Sequence, residues 1–111
     1  MSKSDFYQNI YDLVQLIPKG RVTSYGAIAN YLGAKKSSRV VGWALNQCHS
    51  ISEEIPAHRV VNRLGMLSGK AHFNPPQLMQ QLLEEEGVII VNDKVQKFDT
   101  VFWNPSTELE F

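Results

Sequence analysis

Thr23-Ser24-Tyr25-Gly26-Ala27-Ile28-Ala29-Asn30-Tyr31-Leu32-Gly33-Ala34-Lys35-Lys36-Ser37-Ser38-Arg39-Val40-Val41-Gly42-Trp43-Ala44-Leu45-Asn46-Gln47-Cys48 is the stretch that decides the fold. Thr23 or Ser24 offers a side-chain oxygen to the free N–H groups of a helix start. The helix begun there carries Ile28, Ala29, Tyr31 and Leu32 and stops at Gly33. Gly33-Ala34-Lys35-Lys36 is a short basic turn, and Ser37-Ser38 caps a further helix from Arg39 to about Cys48. Two short helices joined by a tight glycine-containing turn form either a helix-turn-helix or a plain helical hairpin. In the first case Lys35, Lys36, Ser38 and Arg39 stand where the phosphates of a duplex are met; in the second the lysines are merely solvated. Gly42 lies inside the second helix, where glycine costs about 1 kcal/mol relative to alanine. Its presence beside Ala44 predicts close approach of something bulky, either another helix or a nucleic-acid groove.

Upstream, Ser4-Asp5 precede Phe6, Ile10, Leu13, Val14 and Ile17, the spacing of one apolar stripe on an amphipathic helix. Pro18 and Gly20 end it, and Tyr7 and Tyr11 flank the stripe. Downstream comes Ile55-Pro56-Ala57-His58-Arg59-Val60-Val61. Pro56 fixes its own φ and stiffens the entry, and Val60-Val61 reads as the start of a strand. A His-Arg pair on such a turn suits catalysis, yet position 57, where a nucleophile would stand, is alanine. The plainer alternative is a turn into a strand with His58 as a half-buried, satisfied polar residue. Val60 to Ser68 predicts a hairpin turning around Asn62 to Gly65, which after a helix-turn-helix would be a wing. Asn74-Pro75-Pro76 opens a helix from Gln77 to Glu86, with Leu78, Met79, Leu82 and Leu83 inward and Gly87 as its stop. Val88 to Val91, Asn92-Asp93 and Lys94 to Phe98 predict a second hairpin, and Phe102-Trp103 a tail docked on the core. The expected fold class is mainly α with small β hairpins, a winged helix-turn-helix in a single domain spanning residues 1–111.

The 111 residues carry no formal net charge, but the charge is unevenly spread. Residues 1–83 hold nine Lys/Arg against four Asp/Glu, and residues 84–111 hold two against seven. Such a dipolar chain can turn a basic face towards a polyanion. No run of about 18 apolar residues exists, so no membrane span is expected. The first residues lack the apolar core of a signal peptide, and a cytoplasmic protein is expected. Cys48 is the single cysteine, which excludes an internal disulfide and a thiolate zinc cluster; a small buried apolar role is the expectation. No metal and no cofactor are expected.

Pro56-Ala57-His58-Arg59-Val60 has neighbours at telling distances: Val22-Thr23-Ser24-Tyr25-Gly26, Arg39-Val40-Val41-Gly42 and Leu83-Glu84-Glu85-Glu86-Gly87. Together they resemble the C-terminal, DNA-binding domain of the O6-alkylguanine-DNA alkyltransferases, over nearly the whole chain from Phe6 to Trp103. In that family the central motif is Pro-Cys-His-Arg-Val and its cysteine accepts the alkyl group. Ala57 at that place resembles the alkyltransferase-like class, which shares the fold and lesion binding but transfers nothing. The resemblance implies a non-enzymatic protein that binds double-stranded DNA carrying alkylated guanine through the minor groove, flips the base, and flags it for nucleotide excision repair proteins, acting as a monomer. It implies that Tyr25 rotates the lesion's 3′ phosphate, that Arg39 fills the gap left by the flipped base, and that Gly42 lets the recognition helix enter the groove. It places Tyr25, Ala57, Val60, Lys70 and Ala71 around the base, and makes His58, Arg59 and Glu86 a hydrogen-bonded network that holds the motif. The chain departs from the family in Lys70, which stands where an aromatic is usual, and in lacking the Asn-Pro hinge near Cys48-His49. The competing readings are a residual alkyltransferase using Cys48 and a winged-helix transcription regulator of undamaged DNA.

Overall fold

The computed structural model of the chain describes residues 3–34, 37–48 and 54–109. Helix α1 (Lys3–Val14) turns the expected stripe inward: Ile10, Leu13 and Val14 are buried, as is Ile17 on the turn that follows. Burying each such side chain contributes about 1.5–3 kcal/mol. Tyr11 departs from the expected flanking position. It is buried, and its hydroxyl donates to the Ala44 carbonyl at 2.7 Å, so the ring packs in the core while its polar end is satisfied on the next layer. That layer is the helix pair α2 (Tyr25–Tyr31) and α3 (Ser38–Cys48), which pack against each other, with α1 behind α3. Of the two candidate caps, Ser24 does the work: its Oγ accepts from the Ala27 N–H at 3.1 Å. Helix α3 buries Val41, Ala44, Leu45 and Cys48, a strip at helical spacing.

The expected Val60–Ser68 hairpin is replaced by a different pairing. Strand β2 (Val60–Val61) runs parallel to β1 (Thr23–Ser24), with Thr23 opposite Val60 and Ser24 opposite Val61. Both valines are buried, so the strand pairs inside the core with β1 rather than folding back on the exposed turn that follows it. The turn itself forms. Asn62 Oδ1 accepts from the N–H groups of Leu64 and Met66, and Gly65 takes a φ of +83° that favours glycine. Residues 65–67 then lie along a second sheet, the Val95 N–H donating to the Gly65 carbonyl and the Leu67 N–H to that of Asp93, both at 2.9 Å. That sheet is the expected hairpin, β3 (Ile90–Val91) and β4 (Lys94–Val95), antiparallel around Asn92-Asp93. Both turn residues have positive φ, 52° and 61°, as the tight hairpin turn demands. The wing is therefore β3–β4 with residues 65–67 beside it.

Helix α4 (Leu78–Glu85) buries Met79 and Leu83 and ends beside the linker after α1. The tail carries α5 (Phe98–Val101) and α6 (Pro105–Glu108). Phe102 bridges Val22 in parallel, and the Trp103 N–H donates to the Val22 carbonyl at 2.7 Å, so the tail flanks β1. Arg21 holds it there, donating to the carbonyls of Val101 and Phe102 and to Glu108. No helix among the described residues is long and apolar enough to cross a membrane.

Candidate functional site

Ala57-His58-Arg59 forms one turn of 3-10 helix immediately before β2. The Ala57 N–H bonds back to the Ile55 carbonyl at 2.8 Å and that of Arg59 to the Pro56 carbonyl at 3.0 Å. This tight turn sends His58 and Arg59 towards the C-terminal end of α4, where Glu86 receives both. His58 Nε2 lies 2.7 Å from Glu86 Oε2, and the Arg59 guanidinium grips the same carboxylate through Nε and Nη2 at 2.9–3.2 Å. The Gly20 N–H adds a fourth donor to Oε1 at 2.9 Å, and Arg59 Nη1 donates to the Ile17 carbonyl at 2.8 Å. Gly20 has φ +83°, and a Cβ there would stand 3.2 Å from the Glu86 carbonyl oxygen, so this close approach selects glycine. One carboxylate thus joins the α1–β1 linker, the Ala57 turn and the end of α4.

The electrostatics follow from that geometry. Burial raises the Glu86 carboxyl, but the Arg59, Gly20 and His58 hydrogen bonds together overcome it and hold the group at about 2. His58 is pushed down chiefly by burial, with the neighbouring Arg59 cation adding to it, against the opposing pull of Glu86. An ionised carboxylate only accepts, so the Nε2 of the neutral imidazole carries the proton. In other proteins a carboxylate and an imidazole so joined activate a nucleophile. Ala57 has a methyl group and no proton to surrender, so this position does no covalent chemistry.

Ala57 lies on the wall of a cavity of about 760 Å³. Ile55, Pro56, His58 and Arg59 of the same turn line it with Ala57, joined by Gln15 and Glu54. His72, Phe73 and Asn74 of the following loop and Leu78 and Leu82 of α4 complete the lining. Of the five residues expected around a base, only Ala57 lines this space. Val60 is 1% exposed and points into the core, since both faces of β2 are covered. Lys70 pairs with Asp93 at the wing and lines a separate hollow of about 70 Å³. Ala71 is exposed on the turn Lys70–His72. Tyr25 meets the loop from behind: its phenol, raised by burial, is hydrogen-bonded to Ser68, and a Cβ on Gly69 would sit 2.8 Å from its oxygen. Sequence reading missed His72, Phe73, Gln15 and Glu54. His72 was signalled by its place in the loop after Gly69; Gln15 reaches the cavity only through the packing of α1 and has no local signal.

The exposed side of α3 carries Arg39, Trp43 and Gln47, one turn apart, with the half-exposed Gly42 and Asn46 between them. A Cβ built on Gly42 meets nothing within 4 Å, so the helix suggested as its neighbour is absent among the described residues. Ser38 is exposed at the start of α3; Lys35 and Lys36 lie outside the described residues. Cys48 faces the other way, 1% exposed, with burial pushing its thiol up to about 11. A nucleophilic cysteine needs the reverse on both counts.

Residues 5–88 match the model of the 6-O-methylguanine DNA methyltransferase DNA-binding domain. The chain is 37% identical over 98 residues to alkyltransferase-like protein 1 of Schizosaccharomyces pombe, covering 88% of this chain and 90% of that one. It is 36% identical over 107 residues to the DNA base-flipping protein of Escherichia coli, covering 94% and 79%. Its fold superposes with a TM-score of 0.84 on S. pombe Atl1 solved in complex with damaged DNA containing O6-carboxymethylguanine, at 35% identity, covering 95% of this chain and 100% of that chain.

Proposed function

The chain belongs to the family of the 6-O-methylguanine DNA methyltransferase DNA-binding domain, as an alkyltransferase-like member, and from that premise we propose that it binds DNA carrying O6-alkylguanine and flips the damaged base without repairing it. The observation that carries this reading is Ala57: a methyl group on the wall of a cavity roomy enough to admit a base, beside the intact Glu86 cluster. Helix α3 enters the minor groove, its Gly42 letting the backbone approach the groove wall. Arg39 takes the place of the extruded base; a guanidinium is planar, stacks, and offers several donors to the orphaned partner. A damaged guanine with weakened pairing costs less to extrude, which is one source of selectivity. Tyr25 turns the lesion's 3′ phosphate from its seat behind the loop. His72 and Phe73 close the cavity over the base, while Lys70, which the resemblance placed around the base, pairs with Asp93 at the wing.

A lesion held without chemistry is left for other proteins to remove, and nucleotide excision repair is the route we propose. Burial of Cys48 weighs against a residual alkyl transfer. The test is a titration of a duplex carrying one O6-methylguanine, followed by intact-mass measurement of the bound protein. Saturable binding with the protein's mass unchanged supports the reading; a methyl group gained by the protein refutes it.

A further inference from the structure

Two neighbouring positions on α3 have no explanation among the described residues. Gly42 weakens the helix, yet among the described residues nothing stands within 4 Å of where its side chain would begin. Trp43 is 50% exposed, whereas the chain's other tryptophan, Trp103, is 2% exposed. Large aromatic side chains left in water at that level lose the burial that ordinarily stabilises them. Both positions lie on the face that also carries the exposed Arg39, and Trp43 follows Arg39 by about one helical turn, about 6 Å along the axis. The empty place at Gly42 therefore adjoins an exposed indole, with the Arg39 cation about one turn before it.

We propose that Trp43 is a second, lesion-independent DNA contact, its indole packed against the sugar wall of the minor groove one turn along α3 from Arg39. The inference rests on the DNA-binding reading above and deepens it. The occupant follows from the neighbourhood. A cation and a flat apolar ring on one helix face, with a gap between them and the backbone bare, suit a polyanion with an apolar sugar lining. An indole edge is thin enough to enter a groove about 6 Å wide. Because Trp43 is displaced from Arg39 along the helix, it touches DNA beyond the flipped base, and its contribution is the same for damaged and undamaged duplexes.

The two tryptophans make this readable. Acrylamide quenches an exposed indole and spares a buried one, so Trp43 dominates quenching of the free protein and Trp103 is the internal reference. Binding is followed independently by the anisotropy of a labelled duplex, with one O6-methylguanine or with guanine, at fixed salt. At saturation with either duplex, quenching falls several-fold and emission shifts to the blue; Trp43→Phe abolishes that change. Trp43→Ala weakens binding to both duplexes by about tenfold, the scale of a lost aromatic contact to nucleic acid, with the ratio between them and the melting temperature unchanged. Saturation by anisotropy with quenching undiminished, or wild-type affinity in Trp43→Ala, overturns the proposal and leaves the DNA-binding reading standing. If neither duplex binds by anisotropy, that reading fails and this inference fails with it.

Discussion

The Glu86 cluster and the outer face of α3 are opposite solutions to the placement of polar groups. Around Glu86 every partner is supplied from within: a histidine, a backbone N–H and an arginine whose remaining arm is taken by a carbonyl. On α3, Arg39 and Trp43 stand in solvent and Gly42 opens onto nothing. A closed network rigidifies; an unanswered face carries residues whose cost is recovered only by an outside partner. The comparison separates what holds the site in shape from what uses it, and each half is open to attack by substitution.

The largest effect falls on the closed side. Glu86→Gln keeps the volume but leaves Arg59 partly buried without its counter-charge, and should lower unfolding free energy at neutral pH by about 3 kcal/mol, measured by urea denaturation. A loss under about 1 kcal/mol would mean the cluster is dispensable.

Acid should dismantle the same side. Glu86 is held at about 2, below its ordinary 4.5, so its contribution is complete above pH 4.5 and disappears as pH falls through about 2. His58 acts in the same sense: its folded value lies below the ordinary 6.5, so from there downward the unfolded chain takes up a proton that the folded ring refuses. Stability of the wild type should therefore decline on acidification from about pH 6.5, and Glu86→Gln should lack the part between 4.5 and 2 in a series of melts against pH.

The open side should show the converse. Arg39→Ala should weaken binding to alkylated duplex by about 1–3 kcal/mol while leaving the urea midpoint in place. Gly42→Ala should part the two properties further: with no atom within 4 Å of the new Cβ, the helix gains up to about 1 kcal/mol of stability while DNA affinity drops. Equal or tighter binding by Gly42→Ala would show that the groove wall does not approach there.

The helices were legible because their apolar stripes are local. Phe6 to Ile17 and Val41 to Cys48 repeat at helical spacing, and packing followed that repeat. The Asn92-Asp93 hairpin was legible for the same reason, since turn chemistry and strand partner are adjacent in the chain. Val60-Val61 was not: a buried two-residue strand shows no alternation, and its partner Thr23-Ser24 lies far upstream. Asn62 to Gly65 announced a turn correctly while the strands on either side went to different sheets. At the site, the His58–Arg59–Glu86 trio could be anticipated from motif resemblance, but Gly20 and Ile17 join it only because α1 ends against α4. The pairing of Lys70 with Asp93 was not legible, because Asp93 belongs to a turn no local pattern connects with it.

A competition titration sets the whole account at risk: labelled duplex containing one O6-methylguanine is displaced from the protein by unlabelled duplexes identical except for that base. The undamaged competitor should require a clearly higher concentration than the damaged one, since only the damaged base both leaves the stack cheaply and fills the cavity beside Ala57. Equal displacement by the two duplexes would contradict it.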